Sequence, residues 1–193
     1  VSAGDVKVAP EKALVDWTGG MATPWSANGG KPRGAIGELW GHLSDLKQDD
    51  IGSPLAIRSH DVRARILGEM AITEVSTTYF NAGSQAYTGD FRMAIPDNAL
   101  VSRYAIKEGA AKPREAKIGI AMPRGSANRP RLEWAGEGWV RGDTGSIPAG
   151  KTQTVVVEYV EWLSPADDRL TYRYPMVSGL ASASAPLIGE FRA

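Results

Sequence analysis

His42 and His60 are the only imidazoles in a chain of 193 residues that has no cysteine. The missing thiols exclude cysteine nucleophiles, disulfide frameworks and Cys-type zinc sites. A Ser-His-Asp device needs a serine whose proton a positioned histidine can take. Neither histidine lies in a Gly-x-Ser-x-Gly setting: His42 falls in a helix-spaced segment and His60 near a strand start. The acid pairs Asp49-Asp50 and Asp167-Asp168 have the chemistry of metal or glycosidase carboxylates. Both sit in turn-rich sequence, where adjacent acids stop a helix or decorate a loop, and no EF-hand spacing surrounds them. Gly4, Gly19-Gly20 and Gly29-Gly30 lack the strand-before, helix-after context of a phosphate cradle. The expectation is a noncatalytic chain that needs no metal and no cofactor.

Recognition chemistry is better represented. Arg141-Gly142-Asp143 spells a tripeptide used in integrin adhesion, but it stands beside an expected strand start and strings of three recur by chance. Six Trp and six Tyr could furnish a sugar-stacking platform. Tyr87, Tyr104, Tyr172 and Tyr174 occupy the apolar parity of their strands, which favours core packing. Trp134 and Trp139, flanking Gly136 and Gly138, are the best candidates for an exposed pair. Residues 112–131 carry six basic side chains and one acid in a chain of zero net charge. Arg124, Arg129 and Arg131 are therefore candidates for steering an acidic partner at low salt. Overall balance, with 22 basic and 22 acidic residues, leaves no global field for nucleic acid. No uncharged stretch approaches the ~20 apolar residues of a membrane-spanning helix.

The elements that must position these residues follow from spacing. Residues 1–50 read as an N-terminal extension, with Gly19-Gly20, Thr23-Pro24 and Asn28-Gly29-Gly30 marking loops and Trp17 and Trp25 marking places where it packs. Within it Ile36, Leu39, Trp40, Leu43 and Leu46 form one apolar stripe and predict a short helix over 36–48, weakened by Gly37 and Gly41. From Leu55 the period becomes two. Val62, Ala64, Ile66, Met70 and Ile72 share one parity; Tyr87, Gly89, Phe91, Met93 and Ile95 share another. Leu100, Ser102, Tyr104 and Ile106 alternate likewise, as do Leu170, Tyr172, Tyr174 and Met176. Residues 155–163 are apolar on both parities, as in a central strand covered on both sides. Asn81-Ala82-Gly83-Ser84, Pro96-Asp97-Asn98, Pro148-Ala149-Gly150 and Ser164-Pro165-Ala166-Asp167-Asp168 supply turn chemistry. Residues 110–122 could add a second short helix, ended by Pro123. The expected fold is all-β: an antiparallel β-sandwich over 51–193 with one or two short peripheral helices.

Four segments in order resemble the VIT domain (vault protein inter-alpha-trypsin domain). They are "VRARILGEMAITEVSTTYFN", "GDFRMAIPDNALVSRYAI", "LEWAGEGWVRGDTGSIPAGKTQTVVVEYVEWL" and "LTYRYPM". The family's charged helix has as its counterpart "KEGAAKPREAKIGIAMPRG", which lacks the family's tyrosine. The resemblance implies a noncatalytic protein-interaction module with an adhesion or assembly role. Such modules are usually followed by a von Willebrand factor type A domain, so a partner domain of that type in the same chain is expected. It also implies a secreted, periplasmic or cell-surface location. The first residue, Val1, suits a chain whose leader has been removed or that was cut from a longer protein. The alternative from another class is a carbohydrate-binding sandwich using Trp134, Trp139 or the N-terminal tryptophans. A hydrolase would need convergent polar groups that the sequence does not nominate.

Overall fold

A computed structural model of the chain describes residues 36–43, 52–96, 98–119, 131–136, 138–166, 168–174 and 188–193. Among them are twelve strands and no helix. In chain order these are β1 (Glu38–Leu43), β2 (Ser53–Pro54), β3 (Ala56–Leu67), β4 (Met70–Phe80), β5 (Tyr87–Ala94) and β6 (Ala99–Glu108). There follow β7 (Arg114–Glu115), β8 (Lys117–Gly119), β9 (Arg131–Gly136), β10 (Trp139–Ile147), β11 (Thr152–Trp162) and β12 (Ile188–Arg192). Sheet I has the order β2-β1-β5-β10-β9-β8 and sheet II the order β12-β3-β4-β11-β6-β7. The architecture is a β-sandwich. Its pairings are antiparallel except at two edges, where β8 lies parallel to β9 and β12 parallel to β3.

One continuous core joins the sheets. Sheet I contributes Leu39, Phe91, Met93, Leu132, Val140 and Ile147; sheet II contributes Ile57, Val75, Tyr79, Tyr104, Val157 and Tyr159, among others. The Phe91 and Tyr104 rings bridge the two layers with centroids 5.8 Å apart. Burying each such side chain is worth roughly 1.5–3 kcal/mol, so the alternating residues suffice to hold the layers together. Turns close as their residues dictate. Gly68, at φ 61°, occupies the first central position of the two-residue turn between Leu67 and Met70. Buried Asn81 donates from Nδ2 to the Gln85 and Ile147 carbonyls, and its Oδ1 accepts from the Gly83 N–H.

Both expected helices are overturned where they can be seen. Residues 38–43 form β1, paired antiparallel with β5 from Glu38↔Arg92 to Leu43↔Tyr87. Its helical-looking stripe arises because residues 36–41 are buried on both faces, which erases period two. A Cβ on Gly37 would sit 2.5 Å from the Phe91 ring, and one on Gly41 2.8 Å from Tyr87. Those glycines let the neighbouring rings lie across β1. Residues 114–119 form β7 and β8, and the chain passes between them from sheet II to sheet I. Residues 170–174 form no strand, although their alternation predicts one. The remainder of the extension, with Trp17, Trp25 and Leu46, lies outside the described residues.

Candidate interaction face

Of the residues nominated from sequence, Arg131, Trp134 and Trp139 lie among the described residues. Trp139 is buried at 6% exposure beside Ala94, whereas Trp134 is 40% exposed. Trp134 is registered with Val140, one residue on from Trp139, so the two indoles point to opposite faces of sheet I and are not an exposed pair. Arg131 lies on the outer face of sheet I with its Nε 3.8 Å from Asp143 Oδ2. Arg124 and Arg129 fall outside the described residues. Arg141-Gly142-Asp143 lies within β10, not at a loop tip. Arg141 grips Asp90 through Nε–Oδ1 at 2.9 Å and Nη2–Oδ2 at 3.2 Å. A Cβ on Gly142 would approach the Tyr104 hydroxyl to 2.5 Å, so that position accepts only glycine without rearrangement. The tripeptide is a structural ladder.

The buried polar groups form a structural cluster. His60 is fully buried, with Nδ1 2.8 Å from Thr77 Oγ1 and Nε2 3.0 Å from the Tyr174 hydroxyl. Phe191 stacks on the imidazole at 6.1 Å. Burial lowers the His60 pKa to about 4, only partly opposed by Asp61. Tyr172 reaches Thr73 Oγ1 at 2.9 Å, so the irregular segment 170–174 is stitched across the inner face of sheet II. Burial pushes the Glu161 carboxyl up, and its Oε1 has no hydrogen-bond partner among the described residues. Among the described residues, the partners of the two His60 ring nitrogens are a threonine and a tyrosine. Among the described residues no group of three or more His, Asp or Glu could hold a metal ion.

Exposed recognition chemistry gathers instead at one end of sheet II. On its outer face Leu67 pairs with Met70, Met70 with Trp162, Ile72 with Val160, and Val160 with Leu100. Leu67 is 58% exposed, Trp162 60% and Leu100 73%. These six side chains form an apolar patch across four adjacent strands. The strand ends carrying it are fixed by the Leu163 N–H donating to the Glu69 carbonyl at 2.7 Å. The Asn98 side-chain amide also donates to the Trp162 carbonyl. The next row is charged: Glu74 lies 3.7 Å from Arg63 and 3.2 Å from Arg103, which also pairs with Glu115 at 2.8 Å.

Sequence parity concealed this patch for identifiable reasons. Val62, Ala64 and Ile66 face inward, but the turn at Gly68 and Glu69 puts Met70 and Ile72 on the outer face. A bulge opposite Glu158 and Tyr159 leaves Ser102 unpaired, so Leu100 points outward while Tyr104 and Ile106 point inward. β11 is covered on one side only at this end, which leaves Trp162 in solvent. The signal that could have found the patch was the two-residue Gly-Glu turn inside an apparently continuous parity.

The flank of the patch is formed by β3. β12 pairs with β3 over residues 57–61, whereas residues 62–67 pair with β4 alone among the described residues. Residues 63–67 are all exposed. Beside them a groove of about 350 Å³ is lined by Val62, Ala64, Tyr172, Tyr174, Phe191 and Ala193. Compared with models of known families the chain matches none, and no curated protein matches it. No helix among the described residues is long and apolar enough to cross a membrane.

Proposed function

We propose that this chain is a noncatalytic protein-interaction module that docks a protein partner on the outer face of sheet II. The observation that carries the reading is the in-register cluster of Leu67, Trp162 and Leu100, each more than half exposed. Contiguous apolar surface of this kind marks interaction sites on soluble proteins, and a Trp at its middle is a favoured anchor. The rim of Arg63, Glu74, Arg103 and Glu115 supplies polar orientation around an apolar centre. The segments resembling a VIT domain support placing the module in a larger exported or surface protein, with a von Willebrand type A domain as the partner to try first.

The test is a selection from displayed peptides and protein domains, including von Willebrand type A domains. Wild type and a Leu100→Ser/Trp162→Ser variant serve as baits. Partners that bind wild type and lose about tenfold or more in affinity for the variant support the reading. A glycan array run in parallel decides against the carbohydrate alternative or for it. Binding to glycans, with no protein selected by wild type, overturns the proposal.

A further inference from the structure

We infer that the end of the sandwich where β10 passes into β11 is a binding site for a small carboxylic acid that also carries a hydroxyl or amino group. The site lies at the start of β11 and the apolar patch at the finish of the same strand, so it stands independently of the interaction-module reading. A cavity of about 260 Å³ opens here, lined by Ile147 and Pro148 leaving β10, by Glu108 and Gly109 leaving β6, and by Lys151 and Gln153 opening β11. Its volume is the share of roughly nine water molecules, which suits a solute of a few carbon atoms with two polar groups.

Gln153 supplies the buried polar group of the cavity. The residue is 1% exposed and shares the inward parity of β11 with Val155 and Val157. Nε2 donates to the Thr144 carbonyl at 2.9 Å, which fixes the orientation of the amide. Oε1 is then the acceptor left over, buried and with no hydrogen-bond partner among the described residues. An unmet buried acceptor is costly, so an occupant that brings an O–H or N–H to it is favoured over one that does not. Lys151, exposed at the rim, supplies a cation for a carboxylate. Glu108 on the facing wall is already paired with Arg114, which leaves the Lys151 charge to the ligand. Ile147 and Pro148 offer apolar surface to the carbon skeleton.

The walls are preset. Asn81 Nδ2 donates to the Ile147 carbonyl at 2.9 Å, and the Gly150 N–H donates to the Asn81 carbonyl at 2.9 Å. Across the cavity Gly109, at φ 51°, turns the chain out of β6. Turns closed in this way hold the cavity in shape before a ligand arrives, which lowers the ordering cost of binding.

The probes are L-lactate and L-alanine, which carry both groups, with propionate lacking the donor and propylene glycol lacking the carboxylate. Amide chemical shifts of the isotope-labelled full chain are followed as each is added. L-Lactate or L-alanine should shift the amides of residues 108–109 and 151–153 saturably, and propionate and the glycol should bind about tenfold or more weakly. Whichever of the two acids binds more tightly identifies the donor as hydroxyl or ammonium. Lys151→Met, at an exposed position, should keep the wild-type melting temperature and weaken binding about tenfold or more. Gln153→Met should erase the preference for lactate or alanine over propionate. It also removes the bond to Thr144, so Lys151→Met carries the test if that variant does not fold. No saturable shift with either two-group acid, equal binding of propionate, or binding unchanged by Lys151→Met overturns the inference. So does a crystal soaked in lactate and in alanine whose cavity holds water alone, which would make Oε1 an ordinary hydrated acceptor.

Discussion

At the scale of single residues, buried polar groups decide how this fold responds to pH. His60 titrates near 4 in the folded chain, below the ~6.5 of an exposed histidine, so the unfolded state takes up its proton first. The stability held by neutral His60 is fully present above about pH 6.5 and is lost progressively as pH falls toward 4. Denaturant midpoints measured across that range should decline, and His60→Gln should make the decline shallower. Glu161 has the opposite sign. Its folded pKa is raised by burial, so its contribution is present below the unfolded carboxylate range and is lost as pH rises through the folded pKa. Glu161→Gln should therefore raise the melting temperature by a few degrees at pH 7, with the gain shrinking in acid. Tyr104 carries a buried hydroxyl with no hydrogen-bond partner among the described residues. Tyr104→Phe should be neutral or stabilising by up to ~1 kcal/mol in thermal melts, because the phenyl ring keeps the contact with Phe91.

At the scale of elements, β1 is part of the sandwich core and not a docked appendage. It lies between β2 and β5, and it buries Leu39 to 1% exposure. Leu39→Ala should cost ~2–5 kcal/mol in chemical denaturation, the range for a buried Leu that leaves a cavity. A cost below ~0.5 kcal/mol would contradict its place in the core. Removing residues 1–50 takes β1 away and strips one side of β5, so the shortened chain should lose its cooperative melt. Phe91→Asp and Val157→Asp place a charge at positions 1% exposed in opposing sheets. Each should abolish cooperative unfolding, since an unpaired buried charge costs several kcal/mol.

For the whole molecule, the uneven exposure of sheet II matters most. Sandwiches usually keep their outer faces polar, and here the middle of that face obeys the rule through Arg63, Glu74, Arg103 and Glu115. Its end does not. Leu100→Ser/Trp162→Ser should leave stability within ~0.5 kcal/mol of wild type, because neither side chain is part of the core. The same variant should bind less of an apolar dye and remain soluble at higher concentration. A large loss of stability would show instead that the patch supports the fold.

Much of this architecture was legible in the sequence. Alternation from Leu55 onward determined a β-sandwich, and the parity of Phe91, Met93, Tyr104 and Ile106 marked core residues correctly. Pro148-Ala149-Gly150 marked a turn, which the structure closes with the Lys151 N–H donating to the Pro148 carbonyl. Such features depend on neighbours a few residues away. Tertiary structure decided the rest. β1 is a strand because β5, some fifty residues later, offers it a ladder and rings that require its glycines. Trp134 and Trp139 do not form a pair because adjacent registers place them on opposite faces of one sheet. Leu100 faces solvent because a bulge set by its pairing with β11 inverts its parity. The candidate face was invisible for the same reason: register belongs to pairings between distant segments, which residue type and local spacing do not contain.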